Sequence, residues 1–217
     1  MEFVYVVERR ALFELSFPHG FVPAAQHQQE TRSYLQRIQR HGFFIERRKA
    51  EEDSAFKQII PYVVVVQNDK VLLLERTHKQ GEARLHGKRS IGIGGHINPG
   101  DETQNVLLGG MRREIEEELE IRGSAQYRVA GFLNDDSTAV GSVHFGLVVL
   151  AHVEAHAPVE IREKDKMEGR FVVESELLEL HRSDRARFET WSALLLDQWQ
   201  KVLGANLPIE QAVVAAA

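Results

Sequence analysis

Residues 95–121 read GHINPGDETQNVLLGGMRREIEEELEI, and the second half of this stretch has the period of a helix. Leu108, Met111, Ile115 and Leu119 recur every three or four residues, so they share one face of a helix spanning about residues 105–120. At about 100° per residue, Glu114, Glu117 and Glu118 fall beside that apolar face and are expected to be half-buried, while Glu116 and Glu120 lie further round. Arg112 can pair with Glu116 and Arg113 with Glu117, as on any solvated acidic helix face. Five glutamates within seven residues nevertheless exceed what two arginines neutralise, and three of them crowd the margin of the core, where like charges repel most. A cation is expected there. Oxygen donors in a chain without cysteine suit Mg²⁺ or Mn²⁺.

The same stretch resembles the box of the Nudix (MutT-type) hydrolases, G-x5-E-x7-R-E-U-x-E-E-x-G-U, where U is a bulky aliphatic residue. Gly95 matches the first glycine, Arg113-Glu114-Ile115-Glu116-Glu117-Glu118 matches R-E-U-x-E-E without a gap, and Ile121 matches the last aliphatic. Two positions depart from the pattern. Asp101 stands at the regular distance from Gly95 with Glu102 directly after it, and ten residues instead of seven separate Glu102 from Arg113. Glu102 is the acid expected to pair with Arg113 and hold the loop to the helix. Glu120 replaces the glycine that ends the family's helix, so the helix must stop in another way. The layout, including Lys57-Gln58-Ile59-Ile60-Pro61-Tyr62 before the first core strand, is also similar to a bacterial subgroup of predicted Nudix phosphoesterases.

The resemblance implies an α/β (α+β) sandwich: a mixed sheet between helices, with the box as loop–helix–loop. It implies Mg²⁺-dependent cleavage of a diphosphate bond in a small, nucleotide-like substrate. Carried over residue by residue, Glu117 and Glu118 are metal ligands, Glu114 is a ligand or orients the water, and Gly95 offers its carbonyl. The general base is left between Glu114 and an acid of a later loop, Glu163, Asp165 or Glu168, with Glu163 ranked first. A Nudix-fold module that senses a nucleotide without cleaving it would show a broken box, and this box keeps its glutamates. A diphosphate isomerase of the same fold normally uses a cysteine, and this chain has none.

Around the box, Ile59–Val66 and Val71–Leu74 read as two strands of a hairpin turned by Gln67-Asn68-Asp69-Lys70. Further strands are expected at Tyr127–Leu133, Val143–His152 and Arg170–Val173, and a short helix at Glu174–Leu180. The basic stretch 76–90 carries Arg76, Lys79, Arg84, Lys88, Arg89, His78 and His86. A lone loop cation ordinarily only solubilises, but Arg76 and Arg89 flank the motif and are the first choices for holding a polyphosphate. His96 either faces the site or is a hydrogen-bonded core histidine. No aromatic residue is assignable to base stacking.

The domain, residues 58–180, is expected to carry an N-terminal appendage, 1–57, and a C-terminal segment, 181–217. In the appendage, Phe3–Val7 reads as a strand, and a polar helix is expected from Pro23 to a stop at Gly42. Arg47 to Asp53 reads as a solvated charged link. Phe188, Trp191, Leu194, Leu195, Trp199 and Val202 form one helical stripe, read as packing, and Ala205 onward reads as a frayed tail. The chain has 217 residues, 43% hydrophobic and 27% charged, with a net charge of −5. That balance suits one core with additions and argues against a general nucleic-acid binder. The missing cysteines suit a reducing compartment, and no export signal or membrane span is read, so the cytoplasm is the expected location. A homodimer is left open.

Overall fold

The computed structural model describes residues 1–13, 18–77, 87–101, 105–162 and 164–214. In chain order the elements are β1 (Phe3–Glu8), α1 (Arg9–Phe13), β2 (Gly20–Pro23), α2 (Gln28–His41), β3 (Phe43–Glu46), α3 (Arg47–Glu52), β4 (Phe56–Gln67) and β5 (Lys70–Arg76). Then come β6 (Arg89–Ser90), β7 (Gly92–Gly94), the box helix α4 (Val106–Glu118), β8 (Leu119–Ile121), β9 (Ala125–Asn134), α5 (Ala139–Ser142) and β10 (His144–Val153). β11 (Val159–Ile161), β12 (Met167–Val173), α6 (Glu174–Ser183), α7 (Thr190–Leu196), α8 (Trp199–Leu203), β13 (Leu207–Pro208) and α9 (Ile209–Val214) complete the chain.

The main sheet runs β12–β5–β4–β10–β9–β13, and its central pair, β4 with β10, is parallel from Gln58 opposite His144 to Gln67 opposite Val153. β4 reads as an unbroken apolar run because both of its faces are covered. Ile59, Val63 and Val65 join one core with residues of α2, α4 and α9; Tyr62, Val64 and Val66 join a second with residues of α6, α7 and α8. The result is the expected three-layer sandwich around a mixed sheet.

The hairpin of β4 and β5 has its two-residue turn at Asn68-Asp69, where Asn68 takes φ 56°, a conformation asparagine tolerates better than most residues. The two strands pair only at Val66–Val71 and Gln67–Lys70. Beyond that they part: β7 pairs with β4 from Tyr62 to Val64, and β6 pairs with β5 at Leu74 and Glu75. The glycine-rich segment is thereby wedged into the middle of the sheet. Gly92 lies so close to Tyr62 that an added Cβ would stand 2.1 Å from the phenol ring.

Several expected boundaries shift. α2 starts at Gln28, because Pro23 is held in β2 opposite Gly131. Arg47–Glu52 is a helical turn, laced by Arg47–Glu51 and Arg48–Glu52 pairs and anchored by buried Ala50. The C-terminal stripe is broken at Asp197-Gln198 into α7 and α8, with Phe188 outside both. The described residues after Ala205, up to Val214, are not frayed: Ile209, Ala212 and Val213 are buried in the first core.

The first 41 residues are structural partners of the sheet. β1 pairs with β4 at Val6–Gln58, Val7–Lys57 and Glu8–Phe56, and with β3 on its other side. Tyr34, Leu35 and Ile38 of α2 are buried in the first core, where the Tyr34 ring packs on Phe132 and Phe145. Deleting residues 1–41 is expected to abolish the cooperative thermal transition followed by circular dichroism. A truncated chain melting within a few degrees of the full-length protein would contradict this packing.

Candidate active site

α4 begins at the cap Asn105, whose side chain accepts from Leu108 N at 3.2 Å. Its other end needs no glycine. Leu119 leaves the helix with extended dihedrals and enters β8, which pairs with β11, so Glu120 sits in a strand. Leu107, Leu108, Met111 and Ile115 are buried. Glu114 and Glu118 are half-buried as expected, but Glu117 is not: its side chain is 55% exposed.

Gly95 meets the helix at Glu114. A Cβ at position 95 would lie 2.3–2.5 Å from the Glu114 carboxylate, so only glycine lets that carboxylate rest on the backbone. Burial pushes the Glu114 carboxyl above its ordinary range despite its arginine neighbour. That neighbour, Arg113, clamps the loop to the helix. It reaches Asp101 at 2.7 Å, Glu114 at 2.7 Å, Glu117 at 3.2 Å and the His96 carbonyl at 2.5 Å. The acid that pairs with it is Asp101, buried and further fixed by Asn98 N at 2.8 Å. The regular distance from Gly95 is thus kept, and the extra residues lie between Asp101 and the helix. Glu102, expected in this role, lies outside the described residues, as do Glu163, His78, Lys79, Arg84 and His86.

A cleft of about 400 Å³ opens beside Gly95. Gly92, Gly94 and Gly95 line it along the wedged strand; His96, His144, Val140 and Gly141 form one side, and Trp191, Phe188 and Glu189 another, with Arg76 and Lys88 also contributing. Arg76 is 13% exposed and bonds Glu189 at 3.1 Å. Burial opposes its charge, but Glu189 and Glu118 outweigh that and hold it protonated. Arg89 does not line the cleft; it pairs with Glu75 at 3.5 Å, and its carbonyl accepts from Glu189 N. His96 faces His144, ring nitrogens 3.3 Å apart, and does line the cleft. Of the later acids, Glu168 is exposed in β12 opposite Glu75, and the Asp165 carbonyl accepts from the Thr77 hydroxyl.

Sequence reasoning missed Trp191, which its helical period had assigned to packing, and also Glu189 and the 138–144 connection. The last carries no motif; it reaches the cleft only because β10 lies beside β4.

Similarity to known proteins agrees with this geometry. No protein-family model matches the chain. It is 40% identical over 153 residues to Protein YmaB of Bacillus subtilis (strain 168), covering 68% of this chain and 73% of the relative. Among solved structures it is similar to Tm1382, described as a candidate Nudix hydrolase. The TM-score is 0.71 at 28% identity, over 91% of this chain and 98% of that one. The chain belongs to the Nudix hydrolase family. Among its described residues no helix is long and apolar enough to cross a membrane.

In this Nudix hydrolase the donors around α4 are carboxylate and carbonyl oxygens, the chemistry a hard divalent cation requires. Among the described residues no three acidic or histidine side chains converge on one point; Arg113 draws Glu114 and Glu117 to itself. The residues fit a metal in kind, and Arg113 now supplies the positive charge that a cation would share.

Two outcomes are expected here. Asp101→Asn leaves Arg113 with a poorer buried partner and should cost about 1.5–3 kcal/mol in urea unfolding, whereas Glu102→Gln should cost less than ~0.5 kcal/mol. Equal losses for the two would overturn the pairing. Gly95→Ala must displace the Glu114 carboxylate, so hydrolysis should fall at least ~10²-fold while the melting temperature stays close to that of the wild type.

Proposed function

We propose that this Nudix hydrolase cleaves a diphosphate bond in a small nucleotide-like substrate, using Mg²⁺ or Mn²⁺. The observation supporting it is that two half-buried glutamates adjoin residues lining the cleft: the Glu114 carboxylate rests on Gly95, and Glu118 acts electrostatically on Arg76. Carboxylates that bind a cation and an arginine that meets an anion are the two halves of a metal–diphosphate site.

Glu114, Glu117, Glu118 and the Gly95 carbonyl are the residues that would hold the metal. When bound, a divalent ion acidifies water and neutralises the phosphate oxygens. The protein's own groups do the rest. Arg76, held by Glu189, is placed to neutralise the outer phosphate oxygens. Arg113 keeps Glu114 aimed at the Gly95 loop. Glu114, its carboxyl already raised by burial, is the described residue best suited to take a proton from the attacking water; Glu163 stays the alternative base. The substrate is a small molecule rather than a nucleic acid or a membrane, and the cytoplasm is the compartment that suits a cysteine-free enzyme of this kind.

The deciding experiment is a panel of nucleoside diphosphates linked to a second group, with phosphate or nucleotide release scored in Mg²⁺ and in EDTA. At least one member should be cleaved, and EDTA should stop the reaction. Glu118→Gln and Glu117→Gln should each lower the rate at least ~10³-fold at saturating Mg²⁺ without loss of fold. Cleavage that persists in EDTA, or variants that keep most of their activity, would overturn the reading.

A further inference from the structure

Lys57 is fully buried, and the reaction proposed above makes no use of it. Its ammonium donates to Asp136 Oδ1 at 2.7 Å, to the Gly141 carbonyl at 3.0 Å and to the His144 carbonyl at 3.1 Å. A buried ammonium needs its protons satisfied, and these acceptors lie in the connection that leads from β9 into β10 and on His144, the first residue of β10. Arg9 of α1 braces the same connection through the Ser142 carbonyl at 3.2 Å and an ion pair with Asp136. Val140, Gly141 and His144 from this connection line the cleft.

The histidine tautomers follow from the geometry. The Val140 carbonyl can only accept, and it lies 2.6 Å from His144 Nδ1, so that nitrogen carries the proton. In the neutral ring His144 Nε2 is then an acceptor, and His96 Nε2, 3.3 Å away, must donate to it. Burial lowers the pKa of His144 and keeps that ring neutral.

We infer that Lys57 is a positioning residue: by holding the Gly141 and His144 carbonyls it fixes the turn whose Val140 carbonyl sets the tautomers of the His144–His96 pair in the cleft. The charge on Lys57 is retained at a cost to folding. Burial lowers its pKa to about 8 even with Asp136 beside it, so the folded protein binds this proton less tightly than the unfolded chain does. A purely stabilising role would favour an apolar side chain there.

The test is Lys57→Met in the full-length protein, free of ligand. Long-range ¹⁵N–¹H NMR should show His144 protonated at Nδ1 and His96 at Nε2 in the wild type. In the variant both rings should exchange between tautomers, and the amides of residues 139–143 should exchange with solvent faster, while those of β4 and β10 stay protected. If the variant fails to fold, raising the wild type from pH 7 to pH 9.5 removes the same charge. Lys57 is faced by Asp136, Asp135, Arg9 and His144; hydrogen bonds lower the pKa of Asp136 and burial lowers that of His144, so neither of these two changes charge in that window. Unchanged tautomers and, relative to the intrinsic base-catalysed rate, unchanged protection of the 139–143 amides in either experiment would overturn the inference. The kinetic consequence alone rests on the proposed function. On the best substrate of the diphosphate panel, the variant's KM should rise about 5-fold or more with kcat changed less. A panel with no substrate would defeat the proposed function while leaving the NMR result to decide the role of Lys57.

Discussion

β4 has both faces buried and both edges occupied, and the rest of the molecule is arranged around that condition. One edge is given wholly to β10 in parallel. The other is shared in sequence by β1, β7 and β5. A strand so enclosed must be apolar on both sides, which is why its residues divide between two separate cores. The shared edge has the functional consequence. Because β5 leaves β4 after two pairs, a short glycine-rich strand can enter the sheet and deliver Gly95 against the box helix. The parallel edge supplies the other side of the cleft, since the chain must enter β10 at the end of the sheet where His96 lies.

The charges at the box helix are arranged with similar economy. Four glutamates on one short helix would repel one another, and Arg113 gathers two of them, together with Asp101 and the His96 carbonyl, into one network. A half-buried arginine of this kind is most useful as a device that fixes geometry, because each of its partners constrains the next. Arg76 does the corresponding work on the substrate side, set between Glu189 and Glu118. The site therefore has its opposite charges interleaved before any ligand arrives, and a cation or an anion entering it exchanges one partner for another instead of meeting an unscreened charge.

Buried polar groups elsewhere follow the same logic. The Tyr62 hydroxyl is tied to Ser90 and Ser192 at 3.0 and 2.8 Å, which holds the aromatic ring against Gly92 and joins α7 to the wedged strand. Lys57 and Arg9 brace the opposite side. The N-terminal residues thus take part in the geometry of the cleft without lining it, acting through β1 and α1 on a connection more than a hundred residues later.

What the sequence determined by itself was local: periodicities, turn chemistry and a contiguous motif. The box helix, the β4–β5 hairpin and the half-burial of Glu114 and Glu118 could be read because each depends on neighbours within a few residues or on an ordered pattern. The pairing of Arg113 with Asp101 could not, since an insertion leaves two adjacent acids within reach and only the folded loop chooses between them. Trp191 was read as packing because a helical stripe does not say which of its members stands at the rim of a cavity. The His96–His144 pair, the buried Lys57 and the cleft wall at 138–144 were decided by the tertiary structure alone. They exist because β10 lies parallel to β4, and a parallel neighbour joins residues far apart in the chain that no local spacing records.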